Sequence, residues 1–178
     1  MTFPLTHVVD STEYGSNSQL EDRDTTSFPT STLRRTSPPA TTAVYRKVSI
    51  SVQNILNEGR VSVTLGGDHS ISIGTIDAHM KSRGPVAVIW VDAHGDINTA
   101  DTSPSGNFHG MPLAVLSKEL VDYWPDLPVM SWLNRSLSVR NLAYIALRDV
   151  DREERHVWVG DSVPKTLVMV EHKDVLET

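Results

Sequence analysis

A short apolar run, Val86-Ala87-Val88-Ile89-Trp90, ends abruptly in Val91-Asp92-Ala93-His94-Gly95-Asp96. Apolar side chains at every position suit a strand covered on both faces, the central strand of a parallel sheet, better than a half-exposed one. Ligand sites in such sheets lie beyond the carboxyl ends of the strands, which is where two carboxylates and an imidazole fall here. In an extended chain, positions i, i+2 and i+4 share one side, so Asp92, His94 and Asp96 are expected to converge. Carboxylate and imidazole donors together suit a divalent cation. The alternative at this level is a turn-forming Asp beside a hydrogen-bonded His. Asp77-Ala78-His79 is an internal control, because the same tripeptide in a helical setting sends its two polar side chains to diverging faces. His79 therefore reads as a helix-surface histidine.

Upstream, Val61-Ser62-Val63-Thr64-Leu65 reads as a strand stopped by Gly66-Gly67, and Asp68-His69-Ser70 opens a helix from Ile71 to about Ser82. Gly84-Pro85 then breaks the chain before the next strand. Residues 61–90 thus form a βαβ unit with a right-handed crossover and two adjacent parallel strands. This topology brings His69 to the same sheet edge as the Asp92 cluster. The glycine pair is not a phosphate loop, since neither a GxGxxG pattern nor a P-loop Lys accompanies it.

Val44, Val48, Val52, Ile55 and Leu56 recur at helical spacing, with Gly59 where a terminator belongs. Before them, thirteen of the eighteen residues 25–42 are Ser, Thr or Pro. A segment with so little to bury is expected to be flexible, which divides the chain into a low-complexity stretch, 1–42, and a domain, 43–178. Within the former only Leu5–Val9 hints at an edge strand. Downstream, Asn98–His109 is a polar loop suited to substrate recognition. A helix from Gly110 to about Leu120, a connection over Trp124–Asn141 and strands at Leu142–Leu147 and Leu167–Val170 complete the reading.

Sixteen Lys and Arg stand against 22 Asp and Glu, a net charge of -6, and no basic run is present, which argues against nucleic acid as a partner. The expected partner is a small-molecule substrate. Without Cys there is no thiolate ligand or nucleophile, so metal chemistry falls to His and carboxylates. The absence of a membrane-length apolar run or a secretory pattern leads to the expectation of a soluble, cytoplasmic protein.

Taken together, Gly66-Gly67-Asp68-His69-Ser70, Asp92-Ala93-His94-Gly95-Asp96 and Ser105-Gly106-Asn107-Phe108-His109-Gly110-Met111-Pro112 resemble the arginases of the ureohydrolase family. Asn98-Thr99 and Tyr144-Ile145-Ala146-Leu147-Arg148-Asp149-Val150-Asp151 extend the resemblance over about 43–154. It implies a three-layer α/β/α fold with a mainly parallel sheet, here incomplete. It also implies two manganese ions that activate a bridging hydroxide to convert L-arginine into L-ornithine and urea. By resemblance, His69 and Asp96 ligate one ion, His94 the other, and Asp92 bridges them. His109 matches an acid/base histidine, a side-chain type suited to protonating a departing amine. Asn98, Ser105, Asn107 and Asp151 match groups that hold the amino-acid end of the substrate, and a homo-oligomer is implied as well. Arginases carry a further Asp-x-Asp on a later strand and a later Glu for the guanidinium, neither of which has a counterpart here. The resemblance is also poor before Ala43 and after Glu154. Two alternatives follow: an inactive arginase-like fragment or subunit, and an agmatinase-like ureohydrolase.

Overall fold

The structure, a computed structural model, describes residues 38–159 and 168–171. Leu5–Val9 and most of the Ser/Thr/Pro stretch lie outside the described residues. Helix α1 spans Pro38–Asn57 and so starts six residues before Val44, the first residue of its apolar repeat. Two prolines can open a helix because the first-turn N–H groups have no intrahelical partner. Thr42, Tyr45, Val48, Ser49, Val52 and Leu56 form its buried side. Gly59, at φ +76°, receives the chain as it leaves the helix.

Residues 61–66 form no regular element and pair with no strand among the described residues, and Val61, Val63 and Leu65 are exposed. This corrects the βαβ reading: alternation of β-branched residues gives strand propensity, but a ladder also needs a neighbouring backbone, and β1 takes its neighbour from later in the chain. A one-turn helix, His69–Ile71, follows, capped by Asp68, whose Oδ1 accepts from the Ser70 amide at 2.8 Å. It leads into α2, Ser72–Arg83.

Helices α1 and α2 pack directly on each other. At Gly74 the backbones approach so closely that a Cβ would lie 2.4 Å from the Tyr45 carbonyl oxygen. Asp77 is fully buried at this interface, ion-paired with Lys81 at 2.7 Å and accepting from Ser49 Oγ at 2.5 Å. His79, on another face, is half-buried and its Nδ1 lies 2.9 Å from the Thr75 carbonyl. The control tripeptide thus diverges as its helical spacing requires.

The sheet is parallel in the order β1 (Val88–Val91), β2 (Leu142–Leu147), β3 (Val168–Glu171). Val88 pairs with Leu142 and Trp90 with Tyr144. These four side chains face the helices, where Trp90, Leu142 and Tyr144 join Ile73, Met80 and Leu113 in the main core. On the opposite face Ile89 and Val91 are each 67% exposed. Among the described residues β1 is therefore an edge strand covered on one face, not a central strand covered on two. The α/β class and parallel sheet are as expected.

Helix α3 is only Pro112–Leu116, because the chain tightens into a 3₁₀ segment at Lys118–Tyr123. The stretch read as a mere connection contributes Trp124, Leu127, Met130, Leu137 and Val139 to the core. Strand β2 carries an irregularity between Ile145 and Leu147, with Ala146 at φ 68°. Helix α4, Arg152–Val159, follows. No helix among the described residues is long and apolar enough to cross a membrane.

Gly74→Ala is expected to destabilise the protein by about 1–3 kcal/mol, the usual cost of overpacking, because the obstacle is backbone rather than a movable side chain. Ala146→Gly should act oppositely, by up to about 1 kcal/mol, since the left-handed conformation penalises a Cβ and not glycine. Urea unfolding of both variants checks the two signs.

Candidate metal centre

The site is built where β1 ends. After Val91 the chain does not continue extended: residues 92–94 bend, and Asp96 adopts φ 49°. The expected i, i+2, i+4 convergence is therefore replaced by a turn, held from three sides. Ala93 O accepts from the amides of Arg148 and Asp149 at 3.0 and 2.9 Å. Gly95 O accepts from the buried Tyr144 hydroxyl at 2.8 Å, and Asp96 O from the Leu113 amide at 3.2 Å.

The turn carries Asp92 and Asp96 to His69, whose Nδ1 lies 2.9 Å from Asp92 Oδ2 and 2.9 Å from Asp96 Oδ2. One donor atom from each of these three residues lies within 4.8 Å of the other two. The His69 ring stacks on Trp90, centroids 4.1 Å apart. Its pKa is raised, chiefly by the hydrogen bond to Asp96. Burial opposes the shift, while the charges of Asp96, Asp92 and Asp68 add to it.

His94 is not in that triplet. Its Nδ1 is 3.3 Å from Asp92 Oδ1 and its Nε2 is 3.5 Å from Asp149 Oδ2. Asp92 thus faces His69 with one oxygen and His94 with the other. Asp149, just beyond the end of β2, stands beside His94.

Asn98 and Asp151 come together, with Asn98 Nδ2 donating to Asp151 Oδ2 at 2.7 Å. Thr102 Oγ1 donates to Asn98 Oδ1 at 2.8 Å and holds the amide from its other end. Ser105 is exposed and Asn107 half-buried, the Asn107 amide donating to Ser105 Oγ at 3.3 Å. His109 is exposed on the one-turn helix Phe108–Gly110, which packs against the turn bearing His69.

Glu154 was missed in the sequence, although Asp151-x-x-Glu154 is a capping-box pattern. Its Oε2 accepts from the Asp151 amide at 3.2 Å, and Asp151 Oδ1 accepts from the Glu154 amide at 2.8 Å. Glu154 Oε1 accepts from the Ile97 amide at 3.4 Å, tying α4 to the turn that follows β1. At 4% exposure its pKa is raised, first by burial and then by the Asp151 charge; the Asp151 and Ile97 amides partly offset this.

A family model described as Arginase family matches residues 7–172. The chain belongs to the arginase family. The match extends on both sides of the 43–154 stretch over which the motifs are legible. Among curated relatives, the hepatic arginase of Aquarana catesbeiana is 50% identical over 111 residues, covering 62% of this chain and 34% of the relative. Arginase-2, mitochondrial, of Mus musculus is 51% identical over 106 residues, 60% of this chain and 30% of the relative. Among solved structures, the arginase of Bacillus caldovelox superposes with a TM-score of 0.68 at 30% identity, covering 85% of this chain and 48% of that one. The cold-adapted arginase of Glaciozyma antarctica gives 0.67 at 34% identity, covering 79% and 48%. The chain therefore has the arginase fold, and spans about a third of the length of these curated relatives.

The raised Glu154 pKa has a definite sign. A carboxyl group held above its ordinary value favours folding while protonated, and that contribution is lost as pH rises through the raised value. Folding free energy should fall over the interval just above the ordinary glutamate range, and Glu154→Gln should remove that fall. Glu154→Ala is expected to cost about 1–3 kcal/mol, because the Ile97 and Asp151 amides lose their acceptor. Denaturation across pH reads both.

Proposed function

We propose that this chain carries an arginase-type, metal-dependent hydrolytic site that converts L-arginine into L-ornithine and urea. The observation that carries the reading is the convergence of His69, Asp92 and Asp96, whose donor atoms one cation can touch together. Imidazole and carboxylate donors in a chain without Cys fit manganese, and cobalt or iron would fit similarly. His69, Asp92 and Asp96 would hold one ion; Asp92 Oδ1 and His94 Nδ1, 3.3 Å apart, would hold a second. When bound, such ions supply Lewis acidity and a nucleophile at neutral pH.

The chain's own residues do the rest. Hydrolysis adds water to the guanidinium carbon, breaks its bond to the substrate's ε-nitrogen and requires a proton on that nitrogen as it leaves to become the δ-amine of ornithine. His109 is the proton donor in this reading, supported by its position on the turn packed against His69. Asn98, Ser105 and Asn107 offer hydrogen-bonding groups to the α-carboxylate, and Asp151 a counter-charge to the α-ammonium. The Asn98–Asp151 hydrogen bond supports this pairing of tasks by linking the two. We read the protein as cytoplasmic and acting as a homo-oligomer; a mitochondrial relative of similar identity makes cell fractionation the deciding test.

A second reading is favoured by the donor count. Among the described residues a single triplet of potential ligands converges, and the His94 side offers fewer close donors. On this reading the chain is an arginase-like subunit that holds one ion firmly and hydrolyses feebly.

Manganese titration of the purified chain, with bound metal and urea both followed, separates the two. One tight ion, one weak ion and slow urea release are expected. Asp96→Asn should weaken the tight ion by more than about 100-fold, since even groups that only support a ligand are worth about 10–100-fold. A wild-type chain that binds no manganese refutes the proposal. Calorimetry on the metal-loaded chain should favour L-arginine over agmatine, which has no carboxylate to meet Asn98, Ser105 and Asn107; equal affinities would point to an agmatinase-like site instead.

A further inference from the structure

We propose that Trp90 is a positioning residue for the metal centre: its buried indole face fixes the ring of His69, so that the imidazole meets an ion in one orientation. The proposal rests on the functional reading above and deepens it with a residue that is neither ligand nor substrate contact in that reading.

The two carboxylates of the triplet are placed by backbone. Asp92 follows β1 directly, and Asp96 sits in the turn whose carbonyls the Leu113, Arg148 and Asp149 amides and the Tyr144 hydroxyl hold. His69 has no such anchorage in the sheet, because residues 61–66 before it pair with no strand among the described residues. Its one-turn helix packs on α2 and on Phe108–Gly110, which holds the backbone and leaves the ring to be fixed by what the ring touches. Nδ1 lies 2.9 Å from Asp92 Oδ2 and from Asp96 Oδ2. Both oxygens belong to candidate ligands, and a bound ion would claim the same lone pairs. The contact that ligation leaves intact is the stack on Trp90, with centroids 4.1 Å apart and planes inclined by 17°.

The indole is a rigid platform. Trp90 is 5% exposed, pairs in register with Tyr144 on β2 and belongs to the main core. Its Nε1–H meets no acceptor among the described residues, so packing alone fixes the ring. The His69 side chain, by contrast, is 40% exposed. Restricting it beforehand removes an ordering cost that ion binding would otherwise carry. The stack also has a preference between states. An indole face attracts positive charge lying within about 6 Å of its centroid. An imidazole that shares its lone pair with a cation becomes electron-poor, so the stack favours the ligated ring over the free one.

The test compares wild type with Trp90→Phe, which keeps an aromatic face, and Trp90→Leu, which does not. Leu142→Ala, a buried substitution elsewhere in the same core, is the control for lost stability. Electron paramagnetic resonance of free manganese, recorded at a temperature where thermal melts show every variant folded, gives the affinity of the tight ion. Trp90→Leu should weaken that ion by about 10-fold, the lower end for groups that support a ligand, and Trp90→Phe by about 3-fold. Leu142→Ala should leave it unchanged however far its melting midpoint drops. Should Trp90→Leu not fold, Trp90→Phe carries the comparison. Wild-type affinity in the Trp90 variants overturns the inference, as does an equal loss in Leu142→Ala. NMR relaxation of the His69 ring in the metal-free chain, assigned with His69→Gln, gives a readout that needs no ion: the ring should be looser in the Trp90 variants than in wild type and Leu142→Ala. If wild type binds no manganese, the functional reading fails, while equal ring order in wild type and the Trp90 variants would still overturn the positioning role.

Discussion

The hydrogen bonds onto the carbonyls of Ala93, Gly95 and Asp96 are the constraint on which the site depends. A strand that ends in Asp-Ala-His-Gly-Asp has no intrinsic reason to curl, and Asp96 at φ 49° is in a conformation that side chains other than glycine adopt at a cost. The turn persists because the residues just after β2, the Tyr144 side chain and the start of α3 each satisfy one of its carbonyls. The four donors are the amides of Leu113, Arg148 and Asp149 and the Tyr144 hydroxyl, so the geometry of this turn exists only once the later half of the described chain has packed. Buried backbone acceptors must be paired, and here the pairing itself sets the positions of the side chains.

The electrostatics of this edge all have one sign. Asp92 and Asp96 meet at a single imidazole, and Glu154 and Asp151 lie a few residues away in space. The pKa of His69 is raised first by its hydrogen bond to Asp96, and that of Glu154 first by burial and then by the charge of Asp151. Capping alone does not require such convergence; Asp68 and Asp151 each direct one oxygen, Oδ1, to an amide two or three residues on.

The sheet is asymmetric in a way that separates local from global information. Helices α1 and α2 form a tight layer, fixed by the close approach at Gly74 and by the buried Ser49–Asp77 hydrogen bond, and Trp90 and Tyr144 pack toward the helices. Ile89 and Val91 face the other way and remain exposed, as do Val61, Val63 and Leu65. A residue's apolar character states that burial would be favourable; it does not state that a partner surface is present.

The sequence alone determined the elements with strong periodic or terminating signals: the apolar repeat of α1, the Asp68 cap before α2, the proline that opens α3, and β2. It also pointed to His69, Asp92 and Asp96 as candidate ligands, residues that the fold brings within reach of one another. Tertiary structure decided the rest. Residues 61–66 have the composition of a strand, yet ladder pairing is a property of two backbones, and β1 found its partner in residues 142–145. His94 left the His69 triplet because the turn, not an extended chain, directs residues 92–96. Asp149 stands beside His94 beyond an irregularity in β2 that no local pattern announces, where the amides of Arg148 and Asp149 share the carbonyl of Ala93, more than fifty residues away. Short-range propensity can be read along the chain; the position of a side chain relative to one fifty residues away depends on which hydrogen bonds win when the chain closes.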